Sequence, residues 1–132
     1  MKRESLMIGD WVYVPHDGNV THYGQVKAIY ESYISVKLGD DSWAGVAEAL
    51  KPVPLTAEIL EKNGFESDTN MFGLCYYELS KSYIIDNRGD RFCFVKRFPG
   101  LRDSTFHVID VKYVHELQHA LRLCGISKEI VL

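Results

Sequence analysis

Short runs of β-branched and aromatic residues, each ended by a turn residue, recur along this chain and restrict it to folds with many short antiparallel strands. In the run 34–38, Ile34, Val36 and Leu38 alternate with Ser35 and Lys37, the period of a strand buried on one face. The run 11–14 is closed by Pro15, Asp17 and Gly18. The runs 23–30 and 33–38 flank a Glu31-Ser32 connection and read as a hairpin. Residues 39–41 turn the chain again, and 43–50 supply another short strand. Four or five strands at this spacing predict a small SH3-like β-barrel over residues 1–55.

A helix follows with both ends written out. Thr56 is its N-cap, Leu55 and Leu60 form the staple, Gly64 is the left-handed stop, and Phe65 can fold back on Leu60. The polar run 66–70 is expected to be a loop. Strand signals return at 74–79, 82–86, 91–98 and 105–110, separated by turn residues, and predict an antiparallel meander. In a closing helix, Asp110 is the expected N-cap, Ile109 and Val114 the staple, Gly125 the stop, and Ile126 the return onto Leu121. The expected class is α+β: a barrel module at 1–55, then a unit at 56–132 of a short helix and a meander covered by the C-terminal helix.

A chain of 132 residues, 46% of them hydrophobic, can bury a core. The net charge of -3 argues against a surface devoted wholly to phosphate. Cys75, Cys93 and Cys124 are odd in number and widely spaced, which fits reduced thiols and a cytoplasmic location better than disulfides. The first residues, MKRESLMIGDW, lack the apolar core of a signal peptide, and no run approaches membrane-spanning length, so no membrane partner is expected.

His115, Glu116 and His119 stand in the H-E-x-x-H order of zinc peptidases. That chemistry needs two imidazoles one turn apart, a carboxylate to take a proton from bound water, and a third protein ligand. At 100° per residue, however, Tyr113, Val114, Leu117, Ala120, Leu121 and Cys124 form the apolar stripe, which places His115 and His119 on the opposite, water-facing side with Lys112, Gln118 and Arg122. His107, Cys124 and Glu129 are the nearest further ligands, none at a recognisable spacing. Three specified letters also recur by accident in roughly one chain of this size in a few hundred. The expected reading is a solvated helix face, with no metal and no cofactor.

Three stretches, IGDWVY at 8–13, KPVPLTAEILEKNGF at 51–65 and YVHELQHALRLCGISKE at 113–129, together resemble a group of small uncharacterised proteins of Bacteroides-type gut bacteria, often encoded in phages and other mobile elements. The resemblance implies an extended N-terminal module, a Pro-x-Pro-Leu-Thr helix entry and a closing Val-His-x-Leu-Gln helix with a Gly stop. It brings no activity with it. In that group the position of His119 is commonly another residue, which implies that the second imidazole is peculiar to this chain.

Between Lys81 and Arg102, six basic residues stand against two acidic ones, while residues 1–66 hold ten acidic against six basic. With Tyr83, Phe92, Phe94 and Phe98 interleaved, Arg88, Arg91, Lys96, Arg97 and Arg102 are candidates for a single-stranded nucleic-acid surface. Arg91 and Arg97 nevertheless occupy places where an RNA-recognition strand has Gly and an aromatic residue. Arg88-Gly89-Asp90 is turn chemistry. Trp11, Tyr13, Tyr23, Tyr33 and Trp43 are candidates for an aromatic groove of the kind that binds peptides, and His16 and His22 bracket a loop without metal-ligand spacing. The expected function is that of a non-enzymatic protein-interaction module of a mobile element or its host, the alternatives being nucleic-acid binding through 81–102 and zinc hydrolysis through the helix pair.

Overall fold

Strand β1 (Trp11–Val14) buries Val12 and Val14 and leaves Trp11 and Tyr13 half-buried, the two-residue period of its sequence. In the computed structural model, which describes residues 1–15, 22–98 and 104–132, it is followed by β2 (His22–Ile29), β3 (Ile34–Leu38), β4 (Asp41–Gly45) and β5 (Lys51–Pro52). His16 lies outside the described residues. The chain divides into two units, one of residues 1–54 with 113–115, the other of residues 55–112 with 116–132.

The first unit is one antiparallel sheet of order β4-β3-β2-β1-β5. β1 pairs with both β2 and β5, and a bulge interrupts β2 between Val26 and Ala28. A 3-10 turn, Ala47–Ala49, leads into β5. The inward positions Val12, Val14, Val26, Ile34 and Val36 join Leu6, Ala47 and Leu50 in one core, with Leu38 and Trp43 packed against it. No closed barrel forms among the described residues: β4 and β5 are the two edges of the sheet.

The second unit begins with α1 (Ala57–Lys62). The Thr56 side chain accepts from the Ile59 N–H at 3.3 Å. At the other end Gly64 takes φ 77°, its N–H donates to the Glu61 carbonyl at 3.0 Å, and the Phe65 N–H reaches back to Leu60 at 3.2 Å, closing a Schellman motif. Then come β6 (Ser67–Thr69), β7 (Cys75–Glu78), β8 (Tyr83–Asn87), β9 (Phe92–Phe98) and β10 (Ser104–Val111), in the meander order β10-β9-β8-β7-β6. The final helix, α2 (Val114–Leu123), ends in a second Schellman motif, with Gly125 at φ 68° and the Ile126 N–H on the Leu121 carbonyl at 2.9 Å.

Two local readings are overturned. Residues 67–69 form β6, which is wholly exposed and polar but is held by main-chain pairing with 75–77. Asp110 does not cap α2; pairing with β9 continues to Val111, opposite Phe92, so Asp110 and Ile109 belong to β10. The Glu116 carboxylate in the first turn of α2 accepts from the Lys112 N–H, just ahead of the helix, at 2.7 Å.

The register of the second sheet sorts its side chains into cross-strand rows. One row, Tyr77, Ile85, Phe94, Ile109, is mostly buried, and the Tyr77 hydroxyl meets Glu61 of α1 at 3.5 Å, which places that helix on this face. The opposite face carries Asp68, Tyr76, Asp86, Cys93 and Asp110 in one row and Glu78, Ile84, Val95 and His107 in the next.

Candidate functional site

The opposite face of the second sheet buries Ile84, Cys93 and Val95 in a small apolar cluster with Tyr76 packed against it, and it is also where the chemistry-bearing side chains of this unit converge. Cys93 and Asp110 are direct cross-strand partners. In a regular strand His107, three residues before Asp110, would point the other way. The bulge between His107 and Ile109 makes Val108 an extra residue and returns His107 to the same face. The Asp110 Oδ1 atom therefore receives both neighbours: the Cys93 thiol donates to it at 3.3 Å, and His107 Nε2 lies 2.8 Å away. Its Oδ2 faces Arg91 Nη1 at 3.5 Å. The hydrogen bonds from His107 and Cys93 hold the Asp110 carboxyl below the usual carboxylate range, while burial and that same carboxylate push the Cys93 thiol up. Among the described residues this is the one group of three His, Cys, Asp or Glu side chains with ligand atoms within 4.8 Å of one another.

Along the same face lies a cavity of about 460 Å³ lined by Tyr76, Ile84, Asp86, Arg97 and Thr105, with Phe72 at its hairpin rim. Arg97 meets Glu78 at 2.5 Å, and the Tyr76 hydroxyl donates to Asp68 at 3.3 Å. Glu78 holds the Arg97 guanidinium pKa above its ordinary value.

The basic residues of 81–102 do not assemble into a phosphate-facing stripe. Arg88 pairs with Asp86 at 3.7 Å, Arg91 with Asp110 and Arg97 with Glu78. Lys96 belongs to the opposite face, where it lies 5.2 Å from the Phe98 ring centroid. Three of the arginines are thus answered by carboxylates: Asp86 at the end of β8 for Arg88 just beyond it, Asp110 on β10 for Arg91, and Glu78 on β7, two strands away, for Arg97. Arg102 lies outside the described residues.

The five aromatic candidates are likewise divided. Trp43 stands opposite Val36 and packs on the first unit's core, whereas Trp11 and Tyr13 lie on the outer side. Tyr33 stacks on Tyr30 at 4.5 Å. Tyr13 and Tyr23 stack at 4.8 Å, and the Tyr13 hydroxyl donates to Tyr23 at 3.1 Å. That bond pushes the Tyr13 pKa up to about 12 from its ordinary value of 10.0. A raised acid pKa makes the protonated pair a stabilising contact that is complete below pH 10.0 and lost as pH rises toward about 12. Burial also pushes Tyr77 up to about 12, and Tyr76 and Tyr83 are raised as well. An alkaline titration followed by tyrosinate absorbance should therefore show several late-ionising tyrosines. Tyr23→Phe should remove one tyrosine from that late phase as Tyr13 returns toward its ordinary range; an unchanged late phase would remove the pair as its cause.

The helix motif meets a different outcome from the one its periodicity predicts. His115 is buried at 7% exposure, as is Gln118, and His119 is half-buried. The wheel assumes one buried stripe, but α2 is enclosed over a wider arc, and in its first turn Tyr113 stacks on His115 at 5.8 Å. Burial alone does not make a zinc centre. Glu116 is engaged by the Lys112 N–H, and His107, one candidate third ligand, belongs to the Asp110 group. No His, Cys, Asp or Glu among the described residues joins the pair into a three-ligand set.

Sequence reasoning missed the Cys93–His107–Asp110 group because it depends on strand register and a bulge. The available signal was His107 and Asp110 on one strand run facing a cysteine on the preceding run. No family model, curated protein or solved structure matches the chain. No helix among the described residues is long and apolar enough to cross a membrane.

Proposed function

We propose that the chain is a non-enzymatic protein-interaction module that captures an extended segment of a partner along β10. The observation that supports this reading is the edge itself. β10 is an eight-residue outer strand whose first six residues are exposed, including Phe106 at 66%, Val108 at 48% and Ile109 at 54%. An outer strand turns the N–H and C=O of alternate residues away from its sheet, and an added peptide strand satisfies them while its apolar side chains cover those of the edge. The other edges are poorer templates: β6 has three residues, β5 two, and β4 five. Nucleic acid offers no complementary strand backbone, and three of the arginines it would need are already paired.

The order β4-β3-β2-β1-β5, with the first strand bonded to the last, supports an SH3-like reading of the first unit. The free state of Cys75, Cys93 and Cys124 supports a reducing compartment such as the cytoplasm. The resemblance described above supports a partner from a mobile element or its host.

The test pans short random peptides against the whole chain and maps amide exchange on binding. Enriched peptides should alternate apolar residues and slow exchange in 104–111. Covering the exposed part of Phe106 contributes about 1–2 kcal/mol, so Phe106→Lys should weaken binding roughly tenfold without unfolding the chain. Three results would overturn the reading: protection elsewhere, protection that follows the concentration of the chain itself, or preferential salt-sensitive binding of single-stranded nucleic acid that Arg97→Glu abolishes.

A further inference from the structure

We propose that Cys93 Sγ, His107 Nε2 and Asp110 Oδ1 form a three-ligand site for a single zinc ion. The three atoms lie within 4.8 Å of one another, with Cys93 and His107 at 3.3 and 2.8 Å from the shared carboxylate oxygen. Zinc bonds of about 2.0–2.3 Å at tetrahedral angles hold such atoms roughly 3.3–3.6 Å apart. A small outward rotation of the half-exposed His107 ring therefore admits the ion.

Three features make the group a ligand set rather than an accidental polar contact. First, the donors are a thiol, an imidazole and a carboxylate, the mixture that suits a borderline-soft ion such as zinc better than calcium or magnesium. Second, Arg91 engages Asp110 Oδ2 and leaves Oδ1 turned to the other two groups, the arrangement by which an outer partner orients a ligating carboxylate. Third, all three side chains are brought to one face by pairing across β9 and β10 and by the extra residue Val108, so the arrangement is fixed by main-chain register. Cys93 is buried and His107 exposed, which gives the ion a rigid floor and an open approach.

Binding is balanced without a redox partner. The Cys93 thiol loses its proton to solvent, the thiolate and the Asp110 carboxylate together match the dication, and neutral His107 donates its ring lone pair. Water fills the fourth coordination position on the open side. Because the thiol must lose its proton to bind the ion, affinity should rise with pH.

The experiment titrates the metal-free chain with cobalt(II), followed by zinc. One equivalent of cobalt should give a thiolate-to-cobalt charge-transfer band, which one equivalent of zinc then abolishes. His107→Gln changes an exposed side chain and should lose the stoichiometric band while retaining the far-ultraviolet circular dichroism of the parent. Cys93→Ser should lose it as well, and His119→Gln should retain it. A missing band in the parent, or a band that survives both His107→Gln and Cys93→Ser, overturns the site. So does a full equivalent of metal lost in His119→Gln but kept in His107→Gln, since that assigns the ion to the α2 histidines.

Discussion

Phe94→Ala is expected to lower the unfolding free energy by about 3–5 kcal/mol, the usual range for deleting a buried aromatic ring. Phe94 is 1% exposed, lies on the middle of β9 and is flanked across the sheet by Ile85 and Ile109. Tyr83 stacks beside it at 5.3 Å. The space left by the ring cannot close easily, because β9 is hydrogen-bonded to strands on both sides and cannot shift alone. Urea unfolding of the parent and variant, with slopes unchanged, measures the loss. A difference below about 1 kcal/mol would mean that the row Tyr77, Ile85, Phe94 is not the packed centre of the second unit. The variant also bears on the partner-binding proposal. Ile109 would lose its backing, so peptide binding along β10 should weaken in Phe94→Ala even where the chain remains folded.

Asn63→Ala should cost about 2–4 kcal/mol through a different mechanism. Asn63 is the C-cap of α1 and is buried. Its amide nitrogen donates to the Ile59 and Val131 carbonyls at 2.8 Å each, and its carbonyl accepts from the Val131 N–H at 2.7 Å. Each bond contributes about 0.5–1.5 kcal/mol, and a buried partner left unsatisfied adds more. The clasp also fixes Ile130, whose fully buried side chain is worth about 1.5–3 kcal/mol. Release of the closing segment should speed amide exchange at Val131 while leaving β8 and β9 protected. Asn63→Asp, which keeps the acceptor and loses both donated bonds, should fall between the parent and Asn63→Ala. Equal stability of all three would separate the tail from the fold's energetics.

Both helix stops were legible as sequence because each is made by neighbours. Gly64 and Gly125 accept a backbone conformation that costs other residues more, and Phe65 and Ile126 reach the turn they have just left. The Thr56 cap is equally local, and the strands 11–14, 34–38 and 83–87 announce themselves by β-branched residues or alternation. Strand β6 gives no such signal; the backbone of β7 holds it in place.

The sequence by itself determined where turns and helix ends fall and which strand positions face a core, since those preferences act over a few residues. The tertiary structure alone decided the rest. It paired Cys93 with Asp110, inserted Val108 so that His107 joins them, and recruited Asp110 into β10 where a helix cap had been expected. It answered Arg88, Arg91 and Arg97 with the carboxylates of Asp86, Asp110 and Glu78, and it buried His115, which a single-stripe helix would leave in water. The physical reason is common to all of these. Register and enclosure are set by partners many residues away, and a shift of one residue in pairing sends every side chain of a strand to the opposite face.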